Sequence, residues 1–221
     1  MALLFKQPFT CILAGLSHCG KTTFAVRFIK NIKKLCSPPQ FHSIVWCLSE
    51  TSAAPLELKG QVTFYKGIPD FKNDSLESKL IILDDLMRDA YSPLVGDLFS
   101  KFSHHRNISV ILITQNLFHQ ARGARDISLN SKYIVVYKNP REKQQVAHLA
   151  RQVYPENWRG LHQAYLDCTK KPHGYLLVDL VQDTPDLLRF RTNIFDDHPL
   201  VYAPIDDDDD DDDDNDDEES E

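Results

Sequence analysis

The stretch FTCILAGLSHCGKTT, residues 9–23, decides the fold of this chain. Residues 9–14 form a short apolar run typical of a buried strand, and the run ends at Gly15. Residues 15–22 (GLSHCGKT) match the pattern G-x-x-x-x-G-K-[ST] at every fixed position. A helical pattern follows over residues 23–35, with apolar side chains spaced for one face. A strand, a loop and a helix in this order predict a phosphate-binding loop.

The predicted loop has a defined chemistry. Its backbone N–H groups, with the N-terminus of the following helix behind them, form a site for phosphate oxygens. Lys21 is expected to reach the β- and γ-phosphates of ATP, and the Thr22 hydroxyl is expected to contact Mg²⁺. The alternative is a chance match in a short window, which the flanking strand and helix disfavour. The residues expected to line the phosphates are Gly15, Leu16, Ser17, His18, Cys19, Gly20, Lys21, Thr22 and Thr23.

A second motif occupies residues 80–84 (LIILD), four apolar residues followed by an acid. This is the Walker B pattern, which needs a carboxylate at the carboxyl edge of the sheet, beside the Mg²⁺–phosphate complex. Asp84 is therefore the predicted Mg²⁺ ligand, together with Thr22. The adjacent Asp85 is predicted to orient or deprotonate the attacking water. Asp is also a common cap of the next element, and this alternative stays open for the pair.

A third polar position follows the apolar run ISVILIT, at Gln115. An amide at the end of a strand can sense a γ-phosphate or position water, although such residues are also frequent in turns. Arg106 precedes this run and Arg125 follows it. Either is a candidate arginine finger, which stabilises charge on the transferring phosphoryl group, often from a neighbouring subunit. Either could instead be solvated or face DNA. The predicted catalytic residues are Lys21, Asp84, Asp85, Gln115 and Arg106.

Apolar runs alternate with helical patterns along most of the chain. This alternation predicts an α/β domain of three layers, with a mainly parallel central sheet covered on both faces. The predicted domain covers residues 1–200, and residues 201–221 are predicted to be a separate disordered acidic tail. Two segments are expected to be irregular: a turn at residues 36–39 and a basic loop reaching from Arg122 through Arg125 to Asn130.

The net charge of −7 conceals a basic body. Fourteen of the 32 acidic residues lie in the segment 206–221, so residues 1–205 hold 18 acidic against 25 basic side chains, a net charge of +7. A basic body favours a polyanionic partner such as nucleic acid, although ordinary surface charge would give the same excess. The tail is expected to mimic DNA, to dock on a basic patch of another protein, or only to solubilise the chain.

The five cysteines include no C-x-x-C pair, and their number is odd. This indicates a reducing compartment and argues against a zinc ribbon or a disulfide framework. The sequence shows no signal-peptide pattern and no apolar run near 18 residues. We therefore expect an intracellular protein with no membrane partner.

Six segments carry a resemblance to a known family. The segments are residues 15–24 (GLSHCGKTTF), 80–86 (LIILDDL), 104–118 (HHRNISVILITQNLF), 125–141 (RDISLNSKYIVVYKNPR), 145–155 (QVAHLARQVYP) and 171–180 (KPHGYLLVDL). The chain resembles the viral genome-packaging ATPases of the FtsK/HerA superfamily, of the polinton-like, adintovirus-like and poxvirus type. The phosphate loop alone would not identify this family. The TQN at residues 114–116 and the block that follows it carry most of the resemblance.

The resemblance implies an ASCE-type, RecA-like P-loop core with one strand inserted between the two Walker strands. It also implies a homo-oligomeric ring, typically a hexamer, that uses ATP and Mg²⁺ to translocate double-stranded DNA into a capsid. In this family Asp84 would be the magnesium carboxylate, Asp85 the catalytic acid and Gln115 the sensor. The expected location is the host nucleus or a viral assembly site, with a capsid or portal as a further partner.

A translocase contacts the phosphate backbone of DNA through Lys and Arg side chains. The predicted DNA contacts are the basic residues of one stretch near the sheet's edge, Arg122, Arg125, Lys132 and Arg141. Two other functions stay open. A helicase or replication-associated P-loop ATPase would share the Walker chemistry, and a nucleotide-binding structural or regulatory protein would have lost turnover.

Overall fold

The computed structural model describes residues 4–71, 76–86, 91–117, 123–140 and 143–203. The strands are β1 (Phe5–Lys6), β2 (Thr10–Ala14), β3 (Cys36–Ser37), β4 (Ser43–Leu48), β5 (Thr63–Lys66), β6 (Lys79–Asp84), β7 (Ile108–Thr114), β8 (Tyr133–Tyr137), β9 (Tyr175–Asp179), β10 (Phe190–Thr192) and β11 (Leu200–Tyr202). The helices are α1 (Lys21–Lys30), α2 (Ile32–Leu35), α3 (Pro93–Asp97), α4 (Ser103–His105), α5 (Ala124–Leu129), α6 (Lys143–Val153) and α7 (Trp158–Cys168). A π-helical turn, Leu98–Phe102, joins α3 to α4.

Nine strands of the described residues form one sheet, in the order β11-β10-β9-β8-β2-β7-β6-β4-β5. The six strands from β8 to β5 run parallel, and β9, β10 and β11 add antiparallel ladders at one edge. Strand β7 lies between β2, which precedes the phosphate loop, and β6, which ends at Asp84. The mainly parallel sheet is confirmed, and its strand order has the inserted strand that the resemblance implies.

Strand β2 shows why the apolar runs are continuous. Its side chains alternate between two hydrophobic cores, with Ile12 in one core and Leu13 in the other. Helices α5, α6 and α7 cover the first core, and α1 and α2 cover the second. A strand buried on both faces has no polar side to alternate with. The apolar side chains of the predicted first helix are buried as expected, with Phe24 and Phe28 in α1 and Ile32 and Leu35 in α2.

Two sequence-based expectations need correction. Residues 36–39 do not form only a turn, because Cys36 and Ser37 pair in parallel with Phe5 and Lys6. The predicted loop before Asn130 contains helix α5, whose buried Ala124 and Ile127 have the spacing of one helix face. The sheet continues through β11 to Tyr202, and the domain boundary at residue 200 stays a prediction.

The segment 206–221, predicted to be a disordered tail, lies outside the described residues. Among the helices of the described residues, none has the length and apolar character needed to cross a bilayer.

Candidate active site

The loop between β2 and α1 contains two positions that only glycine satisfies. A Cβ atom at Gly15 would lie 2.7 Å from the Cβ of Tyr137 and 2.8 Å from the Sγ of Cys19. Gly20 has a φ of +108° and immediately precedes α1. Side chains other than hydrogen are strained in this left-handed conformation. The two fixed glycines of the motif are thus explained by a close approach to β8 and by the turn into the helix.

Lys21 begins α1, and its side chain turns back over the loop. Its Nζ donates hydrogen bonds to the carbonyl oxygens of Gly15 at 2.6 Å and Leu16 at 2.8 Å. The side chain is almost fully buried. A positive charge is therefore fixed at the start of the helix, where the helix N-terminus also favours an anion.

Asp84 ends β6 next to this loop and is only 7% exposed. Its carboxylate accepts a hydrogen bond of 3.3 Å from the indole Nε1 of Trp46, a fully buried residue of β4. The pKa of Asp84 is raised to about 6, mainly by burial and in smaller part by the Asp85 carboxylate. The Trp46 indole, the Lys21 ammonium and the Thr22 hydroxyl oppose this rise. Four side chains thus interact with one buried carboxyl group.

Asp85 and Gln115 follow the neighbouring strands β6 and β7, so both lie at the carboxyl edge of the sheet. Both are exposed. Asp85 has a φ of +51°, and His18 in the phosphate loop has a φ of +64°. Left-handed backbone at residues other than glycine is costly, and it concentrates at functional sites.

A cavity of about 800 Å³ opens at this edge. Most of the residues predicted to contact phosphate, Mg²⁺ or the attacking water share its lining. These residues are Ser17, His18, Gly20, Lys21, Thr22, Thr23, Asp84, Asp85 and Gln115. Lys21 and Gln115 are almost one hundred positions apart in the sequence, and both line this cavity.

The oxygen donors of the cavity fit Mg²⁺. Thr22 and Asp84 offer a hydroxyl and a carboxylate oxygen beside the phosphate loop, and Mg²⁺ prefers such hard ligands. Within the described ranges, no group of three or more His, Cys, Asp or Glu side chains could hold a metal ion alone. Mg²⁺ beside phosphates is usually held by one or two protein ligands together with phosphate oxygens.

Sequence reasoning missed the aromatic part of the cavity. Its lining includes Tyr137 from β8, Tyr175 from β9, and His173 and Phe195 from loops. His173 donates from Nδ1 to the carbonyl oxygen of Cys19 at 3.1 Å, which ties the loop before β9 to the phosphate loop. No spacing in the sequence indicates these contacts, because they depend on β9 lying next to β8. The only available signal was His173-Gly174 immediately before an apolar run.

Arg106 lies away from this cavity. It precedes β7 at the amino edge of the sheet, whereas Gln115 follows the same seven-residue strand at the carboxyl edge. A strand of this length spans about 23 Å. The Arg106 guanidinium donates to the carbonyl oxygen of Phe71 at 3.3 Å and lies 5.2 Å from the centre of the Phe102 ring. Arg106 thus does not reach the cavity of its own chain, and a role in a neighbouring subunit stays a prediction.

The structure also locates two of the predicted DNA contacts, Lys132 and Arg125. Lys132 precedes β8 at the amino edge, and its Nζ donates to the carbonyl oxygen of Pro8 at 2.7 Å. Partial burial lowers the pKa of Lys132. Arg125 is exposed near the start of α5. The other two predicted DNA contacts, Arg122 and Arg141, lie outside the described residues.

Arg125 is close to the carboxyl edge. A Cβ atom at the nearby Gly123 would lie 3.2 Å from the backbone oxygen of Tyr91. The hydroxyl of Tyr91 is 3.0 Å from the Thr114 hydroxyl at the end of β7. The start of α5 is therefore linked, through Tyr91, to the strand end that precedes Gln115.

Solved structures with the same fold include viral proteins. The genome packaging NTPase B204 from Sulfolobus turreted icosahedral virus 2, in complex with ATP-gammaS, is 15% identical, with a TM-score of 0.53 over 89% of this chain and 97% of that chain. The DNA-packaging ATPase B204 from Sulfolobus Turreted Icosahedral Virus is 12% identical, with a TM-score of 0.55 over 91% of this chain and all of that chain (100%).

No family model matches the chain, and no curated protein matches it. At identities of 12–15%, the similarity to B204 is evidence for the fold alone. Together with the strand order and the phosphate loop, it gives the conclusion that this chain has the mixed α/β fold of the P-loop NTPases, with a large, mainly parallel central sheet.

Proposed function

We propose that this protein is an ATP-hydrolysing motor that translocates double-stranded DNA, and that it packages a viral genome into a capsid. One observation carries the proposal: Lys21, Thr22, Asp84, Asp85 and Gln115 converge on one cavity at the carboxyl edge of the sheet. The solved B204 structures, described as a genome packaging NTPase and a DNA-packaging ATPase, support it as proteins of similar fold.

Each residue of the cavity has a role in the proposed hydrolysis. Lys21 would hold the β- and γ-phosphates, and Thr22 and Asp84 would hold Mg²⁺. When bound, Mg²⁺ neutralises charge on the phosphates and on the phosphoryl group in transfer. Asp85 would orient the attacking water and accept its proton, and Gln115 would contact the γ-phosphate. Asp84 is held before the reaction by burial and by the hydrogen bond from Trp46, and preorganised groups are a major source of electrostatic stabilisation in phosphoryl transfer.

The buried carboxyl of Asp84 suits a metal ligand. Its pKa of about 6 leaves it ionised near neutral pH, at a cost that comes mainly from burial. A bound divalent cation would compensate that cost, because an opposite charge favours the ionised form. The hydrogen bond from Trp46 fixes the orientation of the carboxylate, as partners behind a metal ligand commonly do.

The proposed DNA contacts are Arg125, Arg122 and Arg141. The net charge of +7 on residues 1–205 supports a polyanionic partner, and Arg125 is exposed near the edge that bears the cavity. Contacts of this kind go to phosphates and carry no sequence information, which suits a motor that moves along any sequence. Lys132 is not among them, because it precedes β8 at the amino edge of the sheet, opposite the edge that bears the cavity, and its ammonium donates to the carbonyl oxygen of Pro8.

We further propose a homo-oligomeric ring, with six subunits expected, in which an arginine from one subunit completes the site of the next. Arg106 and Arg125 are the candidates, and both lie outside the cavity of their own chain. The capsid or portal would be a further partner. The polinton-like subtype and an intracellular location, at the host nucleus or a viral assembly site, belong to the same proposal and rest on the sequence resemblance.

Triplex displacement tests translocation directly. The protein, ATP and Mg²⁺ are incubated with a long duplex that carries a third strand at one end, and release of that strand is measured. The expected result is ATP-dependent release, abolished in Lys21→Ala, with no unwinding of a forked duplex. Unwinding of the fork would favour the helicase alternative. Nucleotide binding without hydrolysis would favour the regulatory protein and overturn the motor.

A further inference from the structure

The cavity has two chemically different ends. Asp84 and Gln115 lie at one end, on the side of the phosphate loop where β6 and β7 stand. The opposite end, on the side of β8 and β9, is formed by the rings of Tyr137, Tyr175 and Phe195. We call these three residues the aromatic wall. Strand β2 and the loop that follows it separate the two ends in the sheet order.

Phe195 is held at the wall by contacts with α1. Its ring centre lies 4.9 Å from that of Phe24, and the guanidinium carbon of Arg27 lies 4.4 Å from its ring centre. The next residue, Asp196, has a carboxylate oxygen 4.0 Å from Arg27. One aromatic contact and one cation–π contact therefore position a ring that is only partly buried.

The two ends of the cavity determine how a bound nucleotide lies in it. The terminal phosphate has to lie near Asp84, Asp85 and Gln115, because hydrolysis needs the metal carboxylate and the water-positioning groups there. The phosphates themselves are held at the start of α1. The nucleoside must then extend in the other direction, past Gly20 and towards β8 and β9, where the aromatic wall stands.

We infer that the aromatic wall is the base-binding site of the cavity, and that Phe195 selects purine nucleoside triphosphates by stacking. This inference rests on the proposed function, since it assumes that the cavity binds a nucleoside triphosphate. Stacking on a ring depends on the area of the base and tolerates different base edges, because every base has a π-face. Purines are larger than pyrimidines, so ATP and GTP bind more tightly than CTP and UTP.

His173 belongs to the same end of the cavity. A carbonyl oxygen only accepts, so the hydrogen bond with Cys19 places the proton of the ring on Nδ1. The other nitrogen, Nε2, is then an acceptor in the neutral ring, which suits a ribose hydroxyl. His173 thus complements the wall with a polar contact to the ribose.

Binding measurements on Phe195 variants test the inference, with inorganic tripolyphosphate as a ligand that has no base. In Phe195→Ala, the Kd for ATP should rise roughly five- to hundredfold, because a base–aromatic stack is worth about 1–3 kcal/mol. The Kd for tripolyphosphate should stay within about twofold of the parent value. Phe195→Tyr should restore ATP binding. The preference for ATP over CTP should disappear in Phe195→Ala.

Phe41→Ala is the matched control. Phe41 is also a partly buried ring, and it packs on Phe9, 6.3 Å away between ring centres, at the amino edge of the sheet. This variant should bind ATP and tripolyphosphate like the parent. Equal weakening of both ligands in Phe195→Ala would overturn the inference, because Phe195 would then act only by supporting α1. An unchanged Kd for ATP would overturn it as well.

The readout is binding, so it separates this inference from the proposed motor. A protein that binds ATP through Phe195 but does not hydrolyse it would contradict the motor and support the base site. A protein that hydrolyses ATP with DNA stimulation, yet binds ATP equally well in Phe195→Ala, would support the motor and contradict the base site.

Discussion

The two edges of the central sheet use polar side chains differently. At the carboxyl edge, Lys21, Asp84 and Gln115 converge on one cavity. At the amino edge, Arg106 and Lys132 donate to the backbone carbonyl oxygens of Phe71 and Pro8. The polar side chains of the carboxyl edge face a cavity that a ligand can enter. Those of the second edge satisfy backbone carbonyl groups away from the cavity, whereas Lys21 donates to the backbone of the phosphate loop and also lines the cavity.

This difference shows that charge and position in the sequence do not by themselves assign a residue to a site. Arg106 precedes β7 and Lys132 precedes β8, and both strands belong to the parallel part of the sheet. Gln115 and Tyr137, at the opposite ends of these strands, line the cavity. The loops after parallel strands meet at the edge that binds ligands, whereas the residues before the strands meet at the opposite edge. We therefore expect catalytic effects from the first edge and stability effects from the second.

Lys21→Ala should have the largest effect. It removes the cation that would neutralise phosphate charge, and loss of one such group costs about 10²–10³-fold in kcat. Steady-state ATP hydrolysis is the measurement. Lys30→Ala, an exposed lysine of the same helix paired with Glu57, is the control and should keep the parent rate. Hydrolysis by Lys21→Ala at the parent rate would remove the carboxyl edge from the mechanism.

Asp84→Asn should abolish Mg²⁺-dependent turnover yet stabilise the fold at neutral pH. The pKa of Asp84 in the folded state, about 6, lies above the ordinary 3.8, so the ionised group opposes folding at high pH. The variant should gain about 1–3 kcal/mol in free energy of unfolding at pH 8. This gain should shrink as pH falls from 6 towards 4, where the parent carboxyl is protonated in the folded state and partly protonated in the unfolded state.

Urea unfolding without Mg²⁺ at pH 8 and pH 4 measures this gain. Asp183→Asn, at an exposed carboxylate near Lys6, serves as the control and should change the free energy of unfolding little at either pH. A destabilised Asp84→Asn at pH 8 would show that burial of this carboxyl does not carry the cost assigned to it.

Trp46→Phe should weaken Mg²⁺ binding while keeping an aromatic ring at this position. The change removes the indole N–H that donates to Asp84, so the carboxylate loses the partner that fixes its orientation. Loss of such a partner costs about tenfold or more in metal affinity. The Mg²⁺ concentration for half-maximal ATP hydrolysis is the measurement. Trp158→Phe, at the other of the two tryptophans, should leave it unchanged.

Lys132→Met should have the smallest effect, and on stability alone. The carbonyl oxygen of Pro8 loses its donor, which costs about 1 kcal/mol in free energy of unfolding. The rate of ATP hydrolysis and the salt dependence of DNA binding should not change. Arg125→Ala should instead lower the slope of log K against log salt by about 1. A lower slope in Lys132→Met would return this lysine to the DNA interface.

The sequence predicted the parts of the fold that depend on local chemistry. The phosphate loop, the strand that ends at Asp84 and the strand before Gln115 each carry a pattern within a short window. Parallel strands bring their carboxyl ends together, so the meeting of Lys21, Asp84 and Gln115 followed from three local patterns. The alternation of apolar runs with helices was enough to predict the layers of the sheet.

The missed features depend on pairing between distant segments. Trp46 lies in an apolar run in which nothing marks one residue as a partner of Asp84. Phe195 reaches the cavity because β10 and β11 extend the sheet beyond β9, and no period in the sequence gives that order. Helix α5 was missed because polar residues surround Ala124 and Ile127, so its apolar face is narrow. In each case a tertiary contact, and not local propensity, decides the structure.

The rate of ATP hydrolysis with and without duplex DNA tests the central claim most directly. The parent protein should hydrolyse ATP in the presence of Mg²⁺, and saturating duplex DNA should raise the rate several-fold. Lys21→Ala should show neither activity. A parent rate that is the same with and without DNA, or that survives in Lys21→Ala, would contradict the account.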